Sequence, residues 1–192
     1  MALGLAVAIG LLPGFPAGGR AASAWEASPE RSLRLAQLFS LLGNASTAGE
    51  AEQLDRAIWA LWMHSGDADT DSLMREAMLA RHAADPVSAM RALDELIARA
   101  PEFAEGWNQR ATLHYEMGND AESLADIAQT LRREPRHYGA LAGRAMIAIR
   151  RGDVDSAIAS IREAQRLHPF LGIARLLPRL MDLRRQRDGR PV

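Results

Sequence analysis

Side chains able to do chemistry are plentiful in this 192-residue chain, but they are not grouped for catalysis. The five histidines, His64, His82, His114, His137 and His168, lie far apart. No two are three or four residues apart, the spacing at which one helix face offers two imidazoles to a zinc ion. There is no cysteine, which excludes a disulfide framework, a thiolate metal site and a lipidated N-terminal thiol. No Gly-x-x-x-x-Gly-Lys phosphate loop occurs, since Gly18-Gly19 stands in an N-terminal leader-like stretch, and there is no Gly-x-Ser-x-Gly nucleophile turn. Carboxylates run close to arginine, as in Glu163 with Arg166 or Asp182 with Arg185, and at that spacing they form solvated pairs on a helix. His137 and His168 read as local caps. The formal net charge of −1 lacks the cationic excess that phosphate neutralisation needs. These residues imply no enzyme, no catalytic residue, no metal, no cofactor, no small-molecule substrate and no nucleic-acid partner. The basic stretch Arg184–Arg190 could touch anionic headgroups or, more simply, complement the C-terminal dipole of a helix; membrane contact is not expected.

The informative spacing is longer. Pro101, Pro135 and Pro169 fall 34 residues apart. Between them Trp107, Ala111, Gly118 and Ile127 recur 34 residues on as Leu141, Ala145, Gly152 and Ile161. A period of this length holds two helices of three to four turns. Ala111 with Ala145, and Ser123 with Ala157, supply small residues where the two helices cross. Gly118 and Gly152 close the first helix, Asn119 and Asp153 cap the second, and the prolines stop it. One period earlier, Leu73, Ala77, Ala89 and Leu93 keep the pattern, with Asp85-Pro86 in place of the glycine turn. Hydrophobic content of 48% with only 5% aromatic residues suits Ala- and Leu-rich helix packing, and no alternating run predicts a strand. The expected fold is all-α.

The 34-residue pattern resembles the tetratricopeptide repeat family. The resemblance implies a right-handed α-solenoid of helix-turn-helix repeats at 70–103, 104–137 and 138–171. An N-terminal capping hairpin or degenerate repeat is expected at 30–64, a C-terminal capping helix at 172–187 with a kink or late start at Pro178, and a frayed tail at 188–192. The segments Ile58-Trp59-Ala60-Leu61-Trp62, Ala104–Thr112 and Glu134–Leu141 also resemble short proteobacterial proteins of this family that carry a leader, a likeness that implies the fold and no particular activity.

By the same resemblance, ligands meet the second, fifth, ninth, twelfth and thirteenth residues of each repeat. Among these, Met74, Met78, Arg81, Asn108, Thr112, Tyr115, Met146, Ile149 and Arg150 are the candidate protein-binding groove. Met74, Met78, Met146 and Tyr115 would be apolar anchors for an extended or helical peptide, because methionine adapts to varied partners. The alternative is that these methionines pack between helices. The carboxylate clamp of chaperone-binding members is missing, since its places hold Met74, Met78, Gln109, Gly139 and Gly143. The seventh residue of each unit is charged: Glu76, Arg110 and Arg144. A partly buried charge needs a partner. Either Glu76 meets Arg110 across the repeat boundary, or the arginine heads reach water.

The first residues differ in kind. Met1–Leu12 is apolar and small, a Pro/Gly stretch follows, and Ala22-Ser23-Ala24 precedes Trp25. This reads as a signal peptide over 1–24, although no basic residue precedes the apolar run. The mature chain would then be periplasmic or secreted; cytoplasmic and N-terminally tethered forms are the alternatives. The expected function is a non-catalytic scaffold or adaptor for a protein or peptide. A self-associating subunit, with Leu176, Leu177 and Leu180 as a dimer face, and a cytosolic interaction module or accessory regulator of an enzyme are the alternatives.

Overall fold

A computed structural model of the chain describes residues 28–189. The expected leader lies outside them. Among the described residues there are nine α-helices, one 3₁₀ helix and no strand. Helices α1 (Pro29–Gly43) and α2 (Ala48–Trp62) form the first hairpin. The repeat pairs are α3 (Ala68–His82) with α4 (Pro86–Arg99), α5 (Ala104–Glu116) with α6 (Asp120–Arg133), and α7 (Tyr138–Arg150) with α8 (Val154–Leu167). A 3₁₀ turn at Gly172–Leu176 leads into α9 (Leu177–Arg187), so the last helix starts late, with Pro178 in its first turn where a missing N–H costs nothing.

The helix ends follow from side chains able to accept orphan N–H groups. Asp67, Asp85 and Asp153 cap α3, α4 and α8 by accepting from the amides of Thr70, Ser88 and Ser156 at 3.0–3.1 Å. Thr47 caps α2, and Glu50 reaches back to the Ser46 amide at 3.0 Å. Asn119 makes no side-chain capping bond, against expectation. Gly118 and Gly152 end α5 and α7 with φ of +81° and +73°. The matching residue of the first repeat is Ala84, held at φ +56°. A Cβ in that region costs about 1–2 kcal/mol.

The core is a series of clusters, each spanning neighbouring units. Ala77, Ala89, Ala92 and Leu93 pack on Leu113, while Ala111 and Ile127 pack on Ala140 and Ile147. Ser123, in the small-residue column of Ala89 and Ala157, donates its hydroxyl to the Ala111 carbonyl at 2.7 Å. At the far end Leu180, with Leu177 beside it, covers Ala157, Ile158 and Ile161 of α8. Leu177 and Leu180 are thus the inner face of α9, and of the expected dimer face only Leu176 lies open.

The first hairpin departs most from expectation. It does not cap the stack. Leu35, Leu38, Leu42, Ile58 and Trp62 share a core with Tyr138, Leu141 and Ala164, so the hairpin folds back onto the third repeat. Two columns explain why α2 is not a second helix of the series. Where the repeats place Ala89, Ser123 and Ala157, α2 has Asp55; where they place Leu93, Ile127 and Ile161, it has Trp59. A carboxylate and an indole cannot occupy a close helix crossing made for methyls and a hydroxyl.

The charged seventh column is also resolved differently. Glu76 pairs with Arg91, not with Arg110. Arg110 grips Asp126 with Nε and Nη2 at 2.8 and 2.9 Å, and reaches Asp94 of the preceding unit at 2.7 Å. Arg144 donates to the Ser160 hydroxyl at 3.0 Å and pairs with Glu163. Each charge thus meets the second helix of its own repeat, 15 or 16 residues on, a distance set by the hairpin and invisible to nearest-neighbour helix rules. The basic end is neutralised in the same way: Arg184 and Arg187 reach Asp155, and Arg185 pairs with Asp182. Among the described residues no helix is long and apolar enough to cross a membrane.

Candidate interaction groove

The first helices α3, α5 and α7 lie side by side and carry the candidate groove residues. Met74 is not an open anchor. It is 2% exposed, packed with Leu96, Ile97 and Phe103. This is the packing alternative, and it holds because the fifth position of the first repeat faces inward. Asn108 is buried as well, donating to the Glu105 carboxylate at 3.0 Å. The others lie toward the C-terminal ends of the helices and form an open strip. Met78 and Met146 are 39% and 37% exposed, and Thr112, Tyr115 and Ile149 are half-buried. Thr112 donates its hydroxyl to the Asn108 carbonyl at 2.9 Å.

Two arginines hold the strip together. The Arg150 guanidinium lies over the Tyr115 ring, 3.9 Å from its centroid. It also donates to the Tyr115 carbonyl at 3.1 Å and pairs with Asp120. Arg81 donates to Gln109 at 2.8 Å and lies 3.9 Å from Glu116. Each arginine therefore ties one repeat to the next, and both stems extend the apolar surface while their charges are matched.

The N-terminal turns of the same helices are already covered, by the chain itself. A Cβ placed on Gly139 would lie 2.9 Å from the Trp59 ring, so only glycine fits beneath that indole. Trp62 stacks on His137, centroids 4.1 Å apart and planes 11° apart. His64 meets Asp71 at 2.6 Å, and the Gln109 amide lies 4.0 Å from the Met63 sulfur. So the second-position residues Asp71, Glu105 and Gly139 are beneath or beside α2 and its exit, while the later positions stay open.

A buried polar network fixes the covered half. His137 accepts from the Ala140 amide through Nδ1 at 3.1 Å, which puts its proton on Nε2 and directs it to Glu105 Oε2 at 2.8 Å. The Glu105 carboxylate also accepts from Asn108 and Gln109. His137 is thus the cap expected of it, and a cross-repeat tie besides. Tyr138 donates to Asp55 at 2.6 Å; burial first, then that carboxylate, holds its phenol far above the ordinary value. His168 lies 3.6 Å from Asp55, and burial pushes its imidazole below the ordinary value. These groups face one another and the indoles. The arrangement positions α2, with His137 and Glu105 fully buried beneath it. Among the described residues no group of three metal-ligating side chains is close enough to hold a metal.

Sequence reading missed Trp59, Trp62, His137 with Glu105, and Asp55 with Tyr138 as one assembly. A signal did exist: α2 carries two of the four tryptophans three residues apart, on a helix that breaks the repeat columns. Such a face must find apolar cover outside the stack.

Antiparallel helix pairs stacked side by side at a fixed 34-residue interval define an α-solenoid. Residues 108–171 match the tetratricopeptide repeat family. A TPR repeat-containing protein of Rhizobium etli is 41% identical over 127 residues, covering 66% of this chain and 62% of that protein. The chain spans a little over three-fifths of the length of that curated relative. Residues 108–171 are thus similar to tetratricopeptide repeats, and the wider chain to a protein built of them; such repeats generally mediate protein–protein interaction and are generally non-catalytic.

Proposed function

We propose that the chain is a scaffold that holds a polypeptide partner on the open strip of Met78, Tyr115, Met146 and Ile149. The carrying observation is that Met78 and Met146 stand exposed on the shared face of the first helices, with Tyr115 half-buried between them under the Arg150 guanidinium, while the other half of that face is filled. Arg81 and Arg150 border the strip with their charges already matched, so the partner's contribution is apolar: a short helix or extended segment with Leu-, Met- or aromatic-type side chains. The test is capture on the immobilised chain, followed by titration with the recovered segment. Met78→Glu, Tyr115→Ala, Met146→Glu serves as the comparison, once its helical circular dichroism matches wild type. A partner held by wild type and released by the folded variant supports the strip; one held equally by both overturns it.

The leader-like start supports a place outside the cytoplasm, in the periplasm or beyond. The apolar Met1–Leu12 and the Ala22-Ser23-Ala24 site carry that reading. N-terminal sequencing of the protein from its native cell tests it: a start at Trp25 supports export, and retention of Met1 in the cytosolic fraction contradicts it.

A further inference from the structure

The 34-residue register lets the ends of the stack be compared with its interior. Leu113 is 1% exposed, packed on Ala77, Ala89, Ala92 and Leu93 of the unit before it. Ile147, 34 residues on, is also 1% exposed, packed on Ala111 and Ile127 of the unit before it. The same column in the first repeat holds Leu79, and Leu79 is 70% exposed. Ser72 repeats the contrast. Its counterpart Gly106 lies so close beneath Leu96 that an added Cβ would stand 2.3 Å from that side chain, and its counterpart Ala140 is buried, yet Ser72 is open.

So α3 shows to solvent the face that α5 and α7 press against a preceding hairpin. The hairpin that precedes it in sequence is engaged on α7 and α8 instead. At the other end α9 covers α8. The uncovered face is a shallow recess of about 530 Å³ lined by Ser72, Arg75, Glu76, Leu79, Ala80 and Ala83. Those positions make one continuous helical seam.

We infer that this seam is an interface between two copies of the chain, α3 against α3 of the partner copy, antiparallel about a two-fold axis. The charges select that occupant. Opposite charges stand side by side at Arg75 and Glu76, so an axis between them sets Arg75 of each copy against Glu76 of the other, twice. The same axis sets Leu79 of each copy against the small Ser72 of the other. Arg75 has no carboxylate partner of its own among the described residues, whereas Glu76 has Arg91 on the side facing α4. A partner of a single charge sign would leave one of the two facing its like.

The full chain is tested by sedimentation and light scattering from about 1 µM to about 1 mM, the range in which modest interfaces assemble. A dimer is expected. Leu79→Glu, at an exposed position that leaves the fold intact, weakens it about 100-fold or more. Arg75→Glu and Glu76→Arg each weaken it about tenfold. An equimolar mixture of those two single variants then restores dimer at wild-type strength, since every facing pair is again acid against base. A chain that stays monomeric, an oligomer indifferent to Leu79→Glu, or a mixture that fails to recover overturns the inference.

Discussion

The hairpins α1–α2 and α5–α6 are made of similar parts, two helices of 13–15 residues and a short turn, yet they find different places. The α5–α6 pair sits in series because its columns are small where helices cross and branched where they interlock. The α1–α2 pair has Asp55 and Trp59 in those columns and seats itself through an aromatic cluster instead. The two hairpins thus differ at the columns where a stacked pair needs small and branched residues, and α1–α2 fills the groove of the stack instead of extending it. The fold-back has two consequences: half of the first-helix face is filled, and the end of the stack that the hairpin would have covered is bare.

The strongest way to break this contrast is at the plug. Trp62→Ala removes a fully buried indole from contact with His137, Tyr138 and Phe39. It should cost about 3–5 kcal/mol in urea unfolding. Next is a change that strikes the register side. Asp126→Ala leaves the partly buried Arg110 without its two-point partner, and should cost about 2–4 kcal/mol, the lower end because Asp94 still reaches it. Unfolding midpoints of the two variants show whether plug and stack melt together.

Acid should act on the plug more gently. Burial holds the His168 imidazole below its ordinary 6.5, with nearby Asp55 opposing. Above 6.5 neither folded nor unfolded chain carries that proton, and the stability is complete. As pH falls from 6.5 through the folded value, the unfolded chain binds the proton first and stability is lost. The midpoint should therefore hold from pH 8 to about 6.5 and drop from there toward pH 5, and His168→Gln should flatten that part of the profile. The smallest effect lies in the stack and has the opposite sign. Ala84→Gly relieves a left-handed alanine where the other units have Gly118 and Gly152, and should stabilise by about 0.5–1 kcal/mol, read as a higher melting temperature.

Much of the stack was legible because its determinants are local and recur. Gly118, Gly152 and the three prolines mark ends within a few residues, and Ala111 and Ala145 mark crossings. The seat of the first hairpin was not, because it depends on contacts such as Tyr138 with Asp55, 83 residues apart in sequence. The seventh-column charges failed for a related reason: their partners lie a helix and a turn away, outside the three- and four-residue rules. Among the candidate groove residues, Met78 and Met146 lie open and Met74 is core, although all three are the same residue type on first helices. Met74 holds the fifth position of its repeat, against Leu96 and Phe103, whereas Met78 and Met146 hold the ninth, one turn on and in the open.

The fold-back is tested most directly by hydrogen exchange on Tyr138→Ala. Tyr138 touches Phe39, Trp59 and Trp62 and bonds to Asp55, but belongs to the third repeat. The account predicts that amides of α1 and α2 lose protection while those of α3 and α4, next to them in sequence, keep theirs. Unchanged protection in α1 and α2, or loss confined to α7 and α8, would contradict a hairpin seated on the third repeat.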